Sequence, residues 1–132
     1  MPIQADIDAE RRVKTVVFSG QITAQEFGTY SETLSADHMS QYDVVFIDLG
    51  QVTDFEFGYK SIRPHANRAA ERDPQQTNFT EIIWAPTDIA YGLARMYQTL
   101  VAPRIDVQLF RDESEARSRL ASALHSISSG IL

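Results

Sequence analysis

The chain has 132 residues, 43% of them hydrophobic and 23% charged, with a formal net charge of −6 and no cysteine. That size and balance suit a single globular domain with its own core. The acidic balance leaves no surplus of Lys and Arg for phosphates, which speaks against a nucleic-acid binder, and the lack of Cys excludes disulfides, thiolate nucleophiles and Cys-ligated metals.

No stretch is long and apolar enough to span a bilayer, and no basic segment precedes an apolar one at the N-terminus, so a cytoplasmic location without a membrane span is expected. Ile3 to Asp6 reads as a short strand and Asp8 to Arg11 as a polar turn. Arg12 to Ser19 reads as a second strand, with Val13, Thr15 and Val17 on one face and Lys14, Val16 and Phe18 on the other. Together they predict an antiparallel hairpin closed by Gly20. Thr23, with Glu26 three residues on, is a capping-box signature, and the helix it starts places Phe27, Tyr30 and Leu34 on one stripe before ending near Asp37.

Val44 to Ile47 is a run of large apolar residues too short for a helix, as expected of a strand buried on both faces. Gly50 to Lys60 reads as a loop in which Phe55, Phe57 and Tyr59 alternate with Asp54, Glu56 and Gly58. A helix over Ser61 to Arg72 follows, with Pro64 in its first turn; a start at Gly58 is the alternative. Thr80 to Ala85 is the next strand. Thr87 or Asp88 caps a helix over Ile89 to Leu100 whose expected buried stripe is Ile89, Leu93, Met96 and Leu100. Ile105 to Phe110 is the last strand, and Asp112-x-x-Glu115 opens a final helix carrying Ala116, Leu120 and Leu124.

The order ββαβαβαβα implies an α/β domain over residues 1–125, with a mixed, mostly parallel sheet of about five strands and about four helices. Residues 126–132, rich in Ser and Gly, are expected to fray.

Three early segments, Ile7 to Val13, Phe18 to Thr23 and Asp48 to Thr53, resemble the SpoIIAA-like branch of the STAS domains (sulfate transporter and anti-sigma factor antagonist). The later segments Ala85 to Tyr97 and Val107 to Ala116 are similar to a pattern in small, mostly uncharacterised bacterial proteins of that branch. The resemblance implies a regulatory, protein-binding module. In the best-known members the switch is a serine pair in an Asp-Ser-Ser-Gly motif after the central strand. Matching Asp48-Leu49 to that family's Asp-Leu puts Glu56 on the motif Asp and Phe57-Gly58 on the two serines, so the phosphorylatable hydroxyl is missing there. Structural kinship of the superfamily with CRAL-TRIO lipid-exchange domains makes a small apolar ligand the alternative.

Asp48, Asp54 and Glu56 follow the central strand, where open α/β sheets often bind ligands, but no base or nucleophile accompanies them, so no enzyme activity is expected. His38, His65 and His125 lack metal-ligand spacing, and no glycine-rich phosphate loop is present, so neither a metal nor another cofactor is expected. The candidate surface for a partner or ligand comprises Asp54, Glu56, Phe57 and Tyr59, with Trp84, Tyr91, Arg95 and Tyr97. An unknown protein partner, a small apolar ligand or a second copy in a homodimer are the occupants considered.

Overall fold

A computed structural model describes residues 2–76 and 79–130, with side chains as far as His125. The strands are β1 (Ile3–Asp8), β2 (Val13–Thr23), β3 (Val44–Glu56), β4 (Thr80–Trp84) and β5 (Asp106–Phe110). The helices are α1 (Ala24–Ser31), α2 (Ala36–Met39), α3 (Tyr59–Ala69), α4 (Asp88–Val101) and α5 (Glu113–Gly130). The five strands form one sheet in sequence order. β1 and β2 are antiparallel and every other pair is parallel. The expected mixed α/β sheet is thus present, with the one-turn α2 as an additional helix. The expected fraying over 126–132 falls mostly on side chains outside those described.

Alternate residues of β3 face opposite sides. Val44 and Phe46 join Ala116 and Ala123 of α5 in one core cluster, while Val45, Ile47 and Leu49 pack with α1, α3 and α4 in the other. A parallel strand between two helical layers has no solvent face, which is why this run is apolar without alternation. The helix starts follow local chemistry. Thr23 Oγ1 accepts from the Glu26 amide at 3.1 Å and Glu26 Oε1 accepts from the Thr23 amide at 2.9 Å, completing the capping box on α1. Thr87 caps α4 by accepting from the Ala90 amide, and Asp112 caps α5 by accepting from the Glu115 amide.

Besides α1, which ends at Ser31 and not near Asp37, three further element limits are corrected. β2 does not close at Gly20, and Gly50 to Glu56 is strand instead of loop. The two extensions pair in parallel out to Thr23 and Glu56, and two register shifts give β3 two extra residues relative to β2. Those irregularities re-aim the strand, so that Leu49, Val52 and Phe55 all meet the same core despite their spacing of three. α3 takes the alternative start, with Gly58 as its N-cap and Pro64 inside it, and it ends at Ala69.

The stripe of α4 is rotated by one residue. Ala90, Ala94, Tyr97 and Val101 are buried, while Ile89 is 63% and Met96 41% exposed. Hydropathy favours Ile and Met as the inner residues. Small alanines instead let the helix axis lie close to the sheet, and the longer side chains turn outward.

Gly50 has a packing reason. A Cβ built there would lie 2.3 Å from Cζ3 of Trp84, so the indole lies directly over the glycine backbone. Gly50→Ala is therefore expected to destabilise the fold by about 1–3 kcal/mol, and a smaller residue at position 84 should recover part of that loss. Urea unfolding of Gly50→Ala, Trp84→Leu and the double variant measures both effects.

Candidate functional site

The sheet register places two charged side chains in the core. Lys14 of β2 pairs with Val45 of β3, which pairs with Glu81 of β4. Lys14 and Glu81 therefore point to one face, two strands apart, under α1, α3 and α4. They are only 1% and 6% exposed. No ion pair joins them among the described residues, and each is partnered locally.

Lys14 Nζ donates to His38 Nε2 at 2.9 Å and lies 5.2 Å from the ring centroids of both Tyr30 and Tyr42. Burial pulls the Lys14 amine down to about 8, with the charge of Glu81 acting the other way. Burial, and then the Lys14 charge, hold His38 below its ordinary value. The hydroxyl of Tyr97 donates to Glu81 Oε1. Burial pushes the Glu81 carboxyl up to about 7, against the opposing effects of the Tyr97 bond and of Lys14.

His65 of α3 completes the layer. Its ring lies 4.8 Å from Phe27, 5.9 Å from Tyr30 and 5.4 Å from Tyr97, centroid to centroid. Arg68 donates to Ser31 Oγ at 3.0 Å, and Ser31 Oγ stands 2.9 Å from His65 Nδ1. The Ser31 hydroxyl, which has two acceptor lone pairs and one proton, thus serves both Arg68 and the His65 ring. Burial, followed by the charges of Lys14 and Arg68, depresses His65 to about 3.

Between these polar groups and the sheet lies a cavity of about 60 Å³. Ile47, Leu49, Ile83, Phe27 and Phe57 form its apolar wall, and Glu81, Tyr97 and His65 its polar side. Phe55, Phe57 and Leu93, all half-buried, carry the lining toward the C-terminal edge of the sheet.

The expected site residues divide between several places. Asp54 and Glu56 are exposed at the end of β3. Phe57 folds inward and stacks on Phe27 at 4.6 Å and 14°, with Phe55 edge-on to it at 5.6 Å. Tyr59 is 48% exposed. Asp48, weighed with the loop carboxylates, is buried; it accepts from the Gly50 amide at 2.9 Å and stands 3.6 Å from Arg117.

Trp84 faces the α5 side. Its indole donates to the Arg111 carbonyl at 3.2 Å, and the Arg111 guanidinium lies 5.4 Å from the Tyr91 ring centroid. Trp84 and Tyr91 thus meet through Arg111, while Arg95 points outward and Tyr97 inward to Glu81. Sequence reasoning missed Lys14 and Glu81 altogether. The available signal was a charge within each of two strands otherwise read as buried.

The raised carboxyl has a consequence for stability. The ordinary value of Glu81 is 4.5 and its folded value about 7, so the folded state holds the proton more tightly. Its contribution is complete below about pH 4.5 and is lost as pH rises through about 7. Glu81→Gln should therefore gain on the wild type as pH rises across that window, by up to about 3 kcal/mol. His65 is depressed and works in the opposite sense, losing its contribution as pH falls below about 6.5 toward 3. It does so equally in both proteins, so the difference between their urea unfolding free energies removes His65 and reports Glu81 together with its coupling to Lys14.

No protein-family model and no curated protein matches the sequence. Among solved structures the chain is similar to the anti-sigma factor antagonist SpoIIAA in its unphosphorylated form, with a TM-score of 0.59 and 12% identity over 90% of this chain and 97% of that one. It is similar also to the Bacillus cell fate determinant SpoIIAA in the phosphorylated form, with a TM-score of 0.56 and 12% identity over 89% and 98%. An uncharacterised DUF3478-family protein with a SpoIIAA-like fold from Shewanella loihica PV-4 gives a TM-score of 0.55 and 11% identity over 89% and 91%. At these identities the likeness is one of architecture, and the chain has the SpoIIAA-like fold of the STAS domains.

Proposed function

We propose that the chain is a non-enzymatic regulatory module of the cytoplasm that binds a protein partner at the C-terminal edge of its sheet. The observation that carries this reading is the exposure of Tyr59 and Ile89, 48% and 63%, in the first turns of α3 and α4. These neighbouring helices both begin at that edge, because each follows a parallel strand. Large apolar side chains at one edge, bordered by the exposed carboxylates of Asp54 and Glu56, suit a partner patch that is apolar at its centre and basic at its rim.

Two further points support the reading. A similar solved structure is that of an anti-sigma factor antagonist. The same edge is where the resemblance puts the family's serine motif, and here it carries Glu56, Phe57 and Gly58. Ser61, half-buried within the first turn of α3, is the nearest serine in sequence. Binding by this chain would therefore not be gated by phosphorylation at the motif position. An enzyme built on the strand-end carboxylates is disfavoured, since Asp48 is committed to Gly50 and Arg117. The cavity favours a ligand as the second reading, but at about 60 Å³ it is too small for a lipid chain.

The test is affinity capture from native cytosol with the wild type and with Tyr59→Ser combined with Ile89→Ser, followed by titration of the captured protein. The double variant should bind at least about tenfold more weakly while its thermal unfolding stays near that of the wild type, because both side chains are exposed. Equal retention by both proteins would remove the edge from consideration. Light scattering of the same samples tells a heterologous partner from a second copy.

A further inference from the structure

The cavity and its carboxyl carry an inference independent of the partner-binding edge. We propose that the cavity is a binding site for a small primary alkylammonium ion, with its ammonium group on Glu81 and its alkyl group among the aromatic rings.

Glu81 is 6% exposed and lines the cavity. Tyr97 satisfies Oε1, and among the described residues no hydrogen-bond donor reaches Oε2. Burial lets Glu81 hold its proton up to about 7, so the carboxylate that an ammonium group would meet is present above that pH. Glu81 lines a partly open cavity whose other walls are mainly apolar and aromatic, with Phe18, Phe27, Tyr30, Phe57 and Tyr97 among them. Aromatic faces attract cations, and rings combined with a carboxylate favour an ammonium over a neutral or anionic head of equal size.

The protein's own cations are directed elsewhere. Lys14 is bonded to His38 and set against Tyr30 and Tyr42, and it opens onto a separate groove beside β1 in which Tyr30 is the shared wall. Arg68 is spent on Ser31, whose hydroxyl serves His65.

Size sets the ligand class. About 60 Å³ is less than half of a cavity that holds benzene. Methylammonium and ethylammonium fall in this range, whereas nucleotides, sugars and lipids do not. The cavity is partly open, with the half-buried Phe55, Phe57 and Leu93 in its lining.

The experiment titrates the full chain with ethylammonium chloride, following the ring signals of Phe27 and Phe57 and the side-chain carboxyl of Glu81 by NMR. Ethanol and sodium chloride serve as the neutral and ionic controls. A saturable shift with a Kd on the order of 1 mM is expected for ethylammonium and not for ethanol, as befits so small a ligand. Glu81→Gln should weaken binding at least about tenfold, since it removes the charge and keeps the shape. No saturable shift, an equal response to ethanol, or undiminished binding by Glu81→Gln would each overturn the proposal. The comparison of ethylammonium with ethanol needs no variant and stands even if Glu81→Gln does not fold.

Discussion

Every other element of this protein answers to one constraint, the burial of β3 on both faces. Its first residues pair with β2 on one side and β4 on the other, so its backbone polar groups are met within the sheet. Its side chains then need apolar cover above and below. α5 supplies that cover for Val44 and Phe46, and α1, α3 and α4 supply it for Val45, Ile47 and Leu49. The parallel pairing of β2, β3, β4 and β5 follows, because a chain that returns to the same sheet edge through a covering helix adds its next strand in parallel.

A second consequence concerns polarity. Lys14 and Glu81 flank Val45 on the three-helix face, where a charged group is tolerated only if the helices bring partners. α4 brings Tyr97 to Glu81, α2 brings His38 to Lys14, and α1 brings Tyr30 against the same amine. The Tyr97 bond bears on the surface as well as the core. With Tyr97 inward, Ala90 and Ala94 share its stripe, and Ile89 and Met96 are left outside. The apolar exposure proposed as a docking edge is thus linked through one helix to a hydrogen bond at the centre of the sheet.

The end of β3 joins the two candidate functions in space. Its two register shifts turn Phe55 inward, and Phe57 follows to stack on Phe27. The carboxylates of Asp54 and Glu56 remain outside. The same few residues therefore form the acidic border of the edge and the aromatic entrance of the cavity. Where the resemblance expects serine hydroxyls there is an aromatic ring committed to the core.

The order and type of the main elements were legible in the sequence, since each depends on neighbours along the chain. The capping boxes at Thr23 and Asp112, the apolar run from Val44 to Ile47, and Pro86 after β4 act over a few residues. The candidate site was legible only in part. Phe57 and Tyr97 were singled out as partner- or ligand-binding residues, without the ring stack on Phe27 and the bond to Glu81 that the structure gives them. Gly50 to Glu56 reads as a loop locally because its strand state depends on pairing with β2, some thirty residues earlier. The rotation of α4, the indole over Gly50, and the meeting of Glu81 with Tyr97 were likewise decided by packing between distant segments. Local propensity and periodicity determined which elements form. Only the tertiary structure decided which faces they bury and where the buried charges find partners, because those choices depend on shape and hydrogen bonding across the sheet.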